Sequence, residues 1–141
     1  MWWVLAMSAA AHLLFVACVQ ALPSGNGSEG NLPAKNADGY TDITVEQLAS
    51  MLEDKDFALI NVHIPYEGEI RETDRFIPFD EIADHLDELP DKDSRIVLYC
   101  RSGPMSTTAA KELASLGYTN VYELDGGMIA WSAAGYELLM R

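Results

Sequence analysis

Basic residues are scarce in this chain. Nine lysines and arginines stand against 22 aspartates and glutamates, for a formal net charge of −13, which argues against nucleic acid or an anionic membrane surface as a partner. Cysteine is nearly absent: Cys18 and Cys100 are the two present, too few for a disulfide framework. His12, His63 and His85 are scattered, with no Cys/His cluster at metal-ligand spacing, so no metal site is expected. Internal repeats are lacking, and the first 22 residues contain no Asp, Glu, Lys or Arg. What is there is 141 residues, 49% of them hydrophobic, enough for one domain with a core of its own.

Residues 1–22 (MWWVLAMSAAAHLLFVACVQAL) are apolar apart from Ser8, His12 and Gln20. Such a stretch reads as a targeting or membrane segment, although no basic residue precedes the apolar run as in the usual signal peptide. Three endings fit. Val19-Gln20-Ala21 offers small residues for cleavage; Phe15-Val16-Ala17-Cys18 resembles a bacterial lipobox, with Cys18 as the lipidated residue; uncleaved, the segment is long enough to span a bilayer. All three place the remainder outside the cytoplasm, as a periplasmic, secreted or membrane-anchored domain that touches membrane only through this segment. A buried core helix fits less well, because the run has no polar face. Residues 23–39 (PSGNGSEGNLPAKNADG) are rich in Gly, Asn, Ser and Pro and read as a flexible tether. The domain itself then occupies residues 40–141.

Within the domain, residues 95–117 organise the rest. Ile96, Val97, Leu98 and Tyr99 form the short continuous apolar run of a strand covered on both faces. Gly103 and Pro104 break it; Ala109, Ala110, Leu113, Ala114 and Leu116 then recur at helical spacing, with Gly117 as a C′ stop. Cys100 therefore falls at the carboxyl end of a strand, facing the start of a helix, the edge where open α/β sheets bind ligands. A loop curling into a helix N-terminus aims unpaired N–H groups at one spot, and the helix dipole adds about 0.3–1 kcal/mol for an anion there. A thiol in that position is expected to be drawn towards thiolate, with Arg101 beside it as a cation. The alternative is a small buried hydrophobe that merely ends a strand.

The other elements alternate. Thr44 and Gln47 form a capping box for a helix over 45–53. Residues 57–62 (FALINV) read as a second buried strand, and 76–79, which include Pro78, as at best an edge strand. Asp80 can cap a helix running to about residue 88. Residues 121–124 (VYEL) form another strand, and Asp125-Gly126-Gly127 turns into a last helix carrying Met128, Ile129 and Trp131. Strands and helices in alternation imply a mostly parallel sheet with helices on both faces.

Cys100-Arg101-Ser102-Gly103 in a strand–helix loop, followed by Leu124-Asp125-Gly126-Gly127-Met128-Ile129-Ala130-Trp131, resembles a single-domain rhodanese (sulfurtransferase) domain. The likeness runs from about residue 40 to 137. It implies a small three-layer α/β sandwich around a five-stranded sheet, and chemistry that passes a sulfane sulfur through a persulfide on the loop cysteine without a cofactor. Where the family often has Asp-x-Arg this chain has Asn61-Val62-His63, and Glu69-Ile70-Arg71-Glu72-Thr73 replaces the familiar His-Ile-Pro-Gly-Ala. Phosphatases on this fold carry Cys-x5-Arg, whose arginine clamps an oxyanion; Ser106 stands in that place here, so phosphatase activity is not expected.

The candidate site is thus Cys100 as nucleophile, with Arg101, Ser102, Gly103, Met105 and Ser106 lining the anion cradle and His63 at a neighbouring strand end. Pro104 lacks an N–H and removes one potential donor. Asp125 reads as a helix cap, Trp131 as core, His85 as a solvated helix face, and Glu67 and Glu69 as solvated loop charges. Two functions remain open. One is an extracytoplasmic sulfurtransferase moving sulfur from thiosulfate or a similar small anion to a thiol or cyanide acceptor. The other is a module that binds sulfide, persulfide or a partner protein without turnover.

Overall fold

The computed structural model describes residues 32–141. The apolar segment 1–22, with Cys18, and the tether up to residue 31 lie outside the described residues. In chain order the elements are β1 (Thr41–Ile43), α1 (Val45–Glu53), β2 (Ala58–Asn61), β3 (Arg75–Phe76), a 3-10 segment (Ile82–Glu88), β4 (Ile96–Tyr99), α2 (Pro104–Ser115), β5 (Val121–Leu124) and α3 (Gly127–Ala133). The strands form one five-stranded sheet in the order β1-β5-β4-β2-β3, and every pairing is parallel. This is the three-layer α/β sandwich that the alternation of strands and helices implies.

Side-chain alternation along β4 builds both outer layers. Ile96, Leu98 and Cys100 pack with Ala109, Ala110 and Leu113 of α2 and Ile82 of the 3-10 segment. Val97 and Tyr99 point the other way, into a second cluster with Leu48 and Leu52 of α1 and Met128 and Trp131 of α3. Tyr99 is fully buried, so its hydroxyl needs partners. It accepts the Ile70 N–H at 3.0 Å and meets the Thr73 hydroxyl at 2.7 Å, fixing the long connection between β2 and β3. Burial pushes the phenol up to about 12, so it stays protonated.

The Thr44 capping box is present: the Gln47 N–H donates to Thr44 Oγ1 at 3.3 Å, and Gln47 Oε1 accepts the Thr44 N–H at 2.9 Å. Three sequence expectations change. The helix expected after Asp80 is a 3-10 segment kinked at His85 (φ −118°, ψ 30°), and the residue at its N-cap, Glu81, makes no side-chain capping bond. Only Ile82 of that segment is buried, too little apolar surface to hold a regular α-helix. Asp125 does not cap α3, whose N-cap is Gly126 without any side-chain bond. The end of the tether is docked: Leu32 packs against the second cluster, the Asn36 side chain donates to Asp42 at 3.0 Å, and Asp38 pairs with Lys111 at 3.2 Å. Among the described residues no helix is long and apolar enough to cross a membrane.

Candidate active site

Because all strands run parallel, the loops that leave β2, β4 and β5 emerge along one edge of the sheet. Cys100 follows β4, the middle strand, with the loop after β2 on one side and the turn after β5 on the other. Gly103 adopts φ +126°, a conformation that disfavours any residue with a Cβ. This turn aims the Gly103 N–H back at Cys100 Sγ, 3.0 Å away. Ser106, in the first turn of α2, places its Oγ 3.3 Å from the same sulfur. One backbone amide and one hydroxyl thus surround the sulfur. Pro104 is the first residue of α2 and has no N–H to add. Cys100 itself is only 1% exposed. It forms the floor of the loop, while Arg101 and Ser102 are exposed and Gly103 and Met105 are half-buried.

The loop is held from behind by backbone. The Met128 N–H donates to the Cys100 carbonyl and the Ile129 N–H to the Arg101 carbonyl, both at 2.9 Å. These are first-turn amides of α3 that lack partners within the helix. Gly127 makes this approach feasible: a Cβ there would lie 2.3 Å from the Cys100 carbonyl oxygen and 2.7 Å from the Arg101 carbonyl carbon. The Gly-Gly turn is therefore a spatial requirement of the cysteine loop.

Beneath the loop lies a carboxyl group that the sequence reading passed over. Val121 and Glu123 point to the same face of β5, the face covered by α2, and Glu123 is only 1% exposed. Glu123 Oε1 lies 2.5 Å from Ser106 Oγ. Burial raises its pKa from 4.5 to about 7; the Ser106 hydrogen bond opposes that shift, and the nearby Asp125 and Asp42 add to it. Among the described residues no ion pair includes Glu123. The signal was available in VYEL, where alternation assigns the third residue to a core face.

On the β2 side, Asn61 shapes the loop by accepting the His63 N–H at 3.0 Å and donating to the Gly68 carbonyl at 3.0 Å. His63 is buried, with Nε2 2.5 Å from Glu67 Oε2, and among the described residues Nδ1 has no hydrogen-bond partner. A proton on Nε2 satisfies the carboxylate and leaves Nδ1 a bare lone pair. The same Glu67 oxygen lies 3.7 Å from Arg101 Nε. Arg101 is thus shared between the loop and a carboxylate, and Glu67 is no free solvated charge. Glu69 departs further from expectation: it is 3% exposed and paired with Arg141. His85 does stand at the surface, between Glu81 and Glu88, and Trp131 is core.

Residues 44–134 match the family model of the rhodanese-like domain. Over 102 residues the chain is 35% identical to a sulfurtransferase of Allochromatium vinosum, covering 70% of this chain and 94% of that protein. Over 119 residues it is 31% identical to the tRNA uridine(34) hydroxylase of Erwinia tasmaniensis, covering 72% of this chain but 34% of the hydroxylase. Among solved structures, a rhodanese-related protein from Thermoplasma volcanium aligns with a TM-score of 0.62 at 24% identity, over 71% of this chain and 98% of its own.

The buried carboxyl makes stability depend on pH. An acid whose pKa is higher folded than unfolded holds its proton in the folded state, so its contribution is fully present below about pH 4.5 and is lost as pH rises through about 7. At about 1.4 kcal/mol per unit the loss is at most on the order of 3 kcal/mol. Glu123→Gln has nothing to titrate. Denaturant unfolding should therefore show the variant gaining on the wild type between pH 4.5 and 8; a difference that stays constant with pH would contradict this.

Proposed function

The chain belongs to the rhodanese-like family, and from that premise we propose that it is an extracytoplasmic sulfurtransferase using Cys100 as its sulfur carrier. The observation that carries this reading is the pair of donors on one sulfur, Gly103 N–H and Ser106 Oγ, at the carboxyl edge of the central strand. Hydrogens aimed at a sulfur are what negative charge on it requires. In the first step the Cys100 thiolate attacks the outer sulfur of thiosulfate. The new S–S bond forms as the old one breaks, and its electron pair leaves with sulfite. The persulfide then carries the negative charge on its terminal sulfur. An acceptor thiolate or cyanide attacks that sulfur, takes it, and returns the Cys100 thiolate. The step needs neither a second cysteine nor a cofactor.

Small anionic donors suit the rim, where exposed Arg101 and Ser102 stand above the buried cysteine. The net charge of −13 supports a small molecule rather than a nucleic acid as partner, and the apolar residues 1–22 support a location outside the cytoplasm with the membrane touched only there. A second reading, a module that holds sulfur or a partner without turnover, is favoured by two observations. Cys100 is nearly sealed, and a Glu67 oxygen already lies 3.7 Å from Arg101 Nε.

Two measurements decide. Incubation of the full-length chain with thiosulfate, read by peptide-resolved mass spectrometry, should add one sulfur to the Cys100 peptide and none after Cys100→Ser. Sulfite release in the presence of cyanide or a thiol should continue beyond one equivalent. Loading without turnover leaves the carrier reading, and no loading from any sulfane donor overturns both. If Glu67 competes with the donor, Glu67→Gln should lower the KM for thiosulfate about 2- to 5-fold, the range of a half-exposed charge pair worth up to about 1 kcal/mol. An unchanged KM would remove Glu67 from donor selection.

A further inference from the structure

Ser106 has one hydroxyl hydrogen and three acceptors. Its Oγ lies 3.3 Å from Cys100 Sγ, 2.9 Å from the Gly103 carbonyl and 2.5 Å from Glu123 Oε1. One hydrogen cannot serve all three. We propose that Glu123 is a positioning residue for the sulfur chemistry, setting through Ser106 whether a hydroxyl hydrogen points at the Cys100 sulfur.

With Glu123 protonated, its own O–H donates to Ser106 Oγ, and the Ser106 hydrogen is free to face the sulfur. With Glu123 ionised, the carboxylate is the strongest acceptor within reach and takes the Ser106 hydrogen. The sulfur then faces an oxygen lone pair and loses a donor. No atom is exchanged with the substrate. The proton on Glu123 comes from and returns to solvent, and the Ser106 hydrogen only changes direction. The arrangement couples the carboxyl and the thiol, so that the site accepts one negative charge more readily than two.

The surroundings of Glu123 agree with this. From β1, Asp42 is its register partner; from the turn after β5 comes Asp125, and one oxygen of each of the three carboxylates lies within 4.8 Å of the others. From β4 the register partner is the apolar Leu98. From α2 the facing group is Ser106. Two acidic neighbours and burial hold the carboxyl in the range where neutral pH switches it. Asp125, which is exposed, offers a route for its proton to water.

The inference concerns the resting thiol, so it can be tested apart from sulfur transfer. Cys100 in the full-length protein is alkylated with iodoacetamide between pH 5.5 and 9, and the rate is read on the Cys100 peptide so that Cys18 does not contribute. Glu123→Gln and the wild type should react equally near pH 6. The variant should then pull ahead to about tenfold at pH 8, the factor expected for one hydrogen bond to a charged group. In the Ser106→Ala background the same exchange should have no pH-dependent effect. A ratio that does not vary with pH overturns the proposal, as does a pH-dependent ratio that survives loss of the hydroxyl and so reports through-space repulsion. Should Glu123→Gln fail to fold, the wild type and Ser106→Ala are compared instead: the wild-type rate should climb in two steps and the Ser106→Ala rate in one, and a single step in the wild type or two steps in both overturns the proposal. Failure of Cys100 to load sulfur while this pattern holds would sink the carrier function and leave the coupling intact.

Discussion

The site rests on two hydrogen bonds that involve no side chain. The first amides of α3 hold the carbonyls of Cys100 and Arg101, and a helix start that would otherwise leave those N–H groups to water uses them to fix a loop. After these two anchored carbonyls the chain bends back through residues 101–103. Gly103, at positive φ, completes the reversal and returns its N–H to the sulfur. The arrangement depends on the missing side chain of Gly127, where the two backbones meet more closely than any Cβ allows. The Gly-Gly turn and the cysteine loop, well apart in sequence, are one physical unit.

A second constraint lies under that unit. The α2 face of β5 gives a core position to Glu123, between Val121 and the helix that carries Ser106. A carboxyl there costs desolvation that the single Ser106 contact does not fully offset, which is why its proton is held to near-neutral pH. A leucine would pack there without such a cost. What the carboxyl adds is an acceptor that competes with the cysteine sulfur for the same hydroxyl. On the opposite side, a Glu67 carboxylate oxygen lies 3.7 Å from Arg101 Nε. Both sides of the loop thus carry acidic groups that moderate the charge the cradle offers.

Much of this was legible in the residues. The apolar run at 96–99, the Gly-Pro break and the helical spacing that follows put Cys100 at the end of a covered strand, and it stands there. Thr44 and Gln47 marked the start of α1 because a capping box is a local bond pattern. The sheet order was beyond reach, because β1 is three residues long and β3 two, too short for any periodicity to register. Contacts between distant segments were equally hidden. Nothing local in Glu67, Glu69 or Asp125 says whether a carboxylate will meet His63, Arg141 or open solvent. Glu123 was readable but missed, since alternation along residues 121–124 puts it on the same face as Val121.

The site stands on backbone geometry, so the most direct measurement alters backbone contact and leaves every reactive group in place. Gly127→Ala pushes a methyl group against the Cys100 and Arg101 carbonyls while Cys100, Arg101, Ser106 and Glu123 are unchanged. Sulfur loading of Cys100 from thiosulfate should slow on the order of 100-fold, as expected when a reacting group is displaced by about 1 Å, while the variant still unfolds cooperatively. Loading at the wild-type rate would contradict the account.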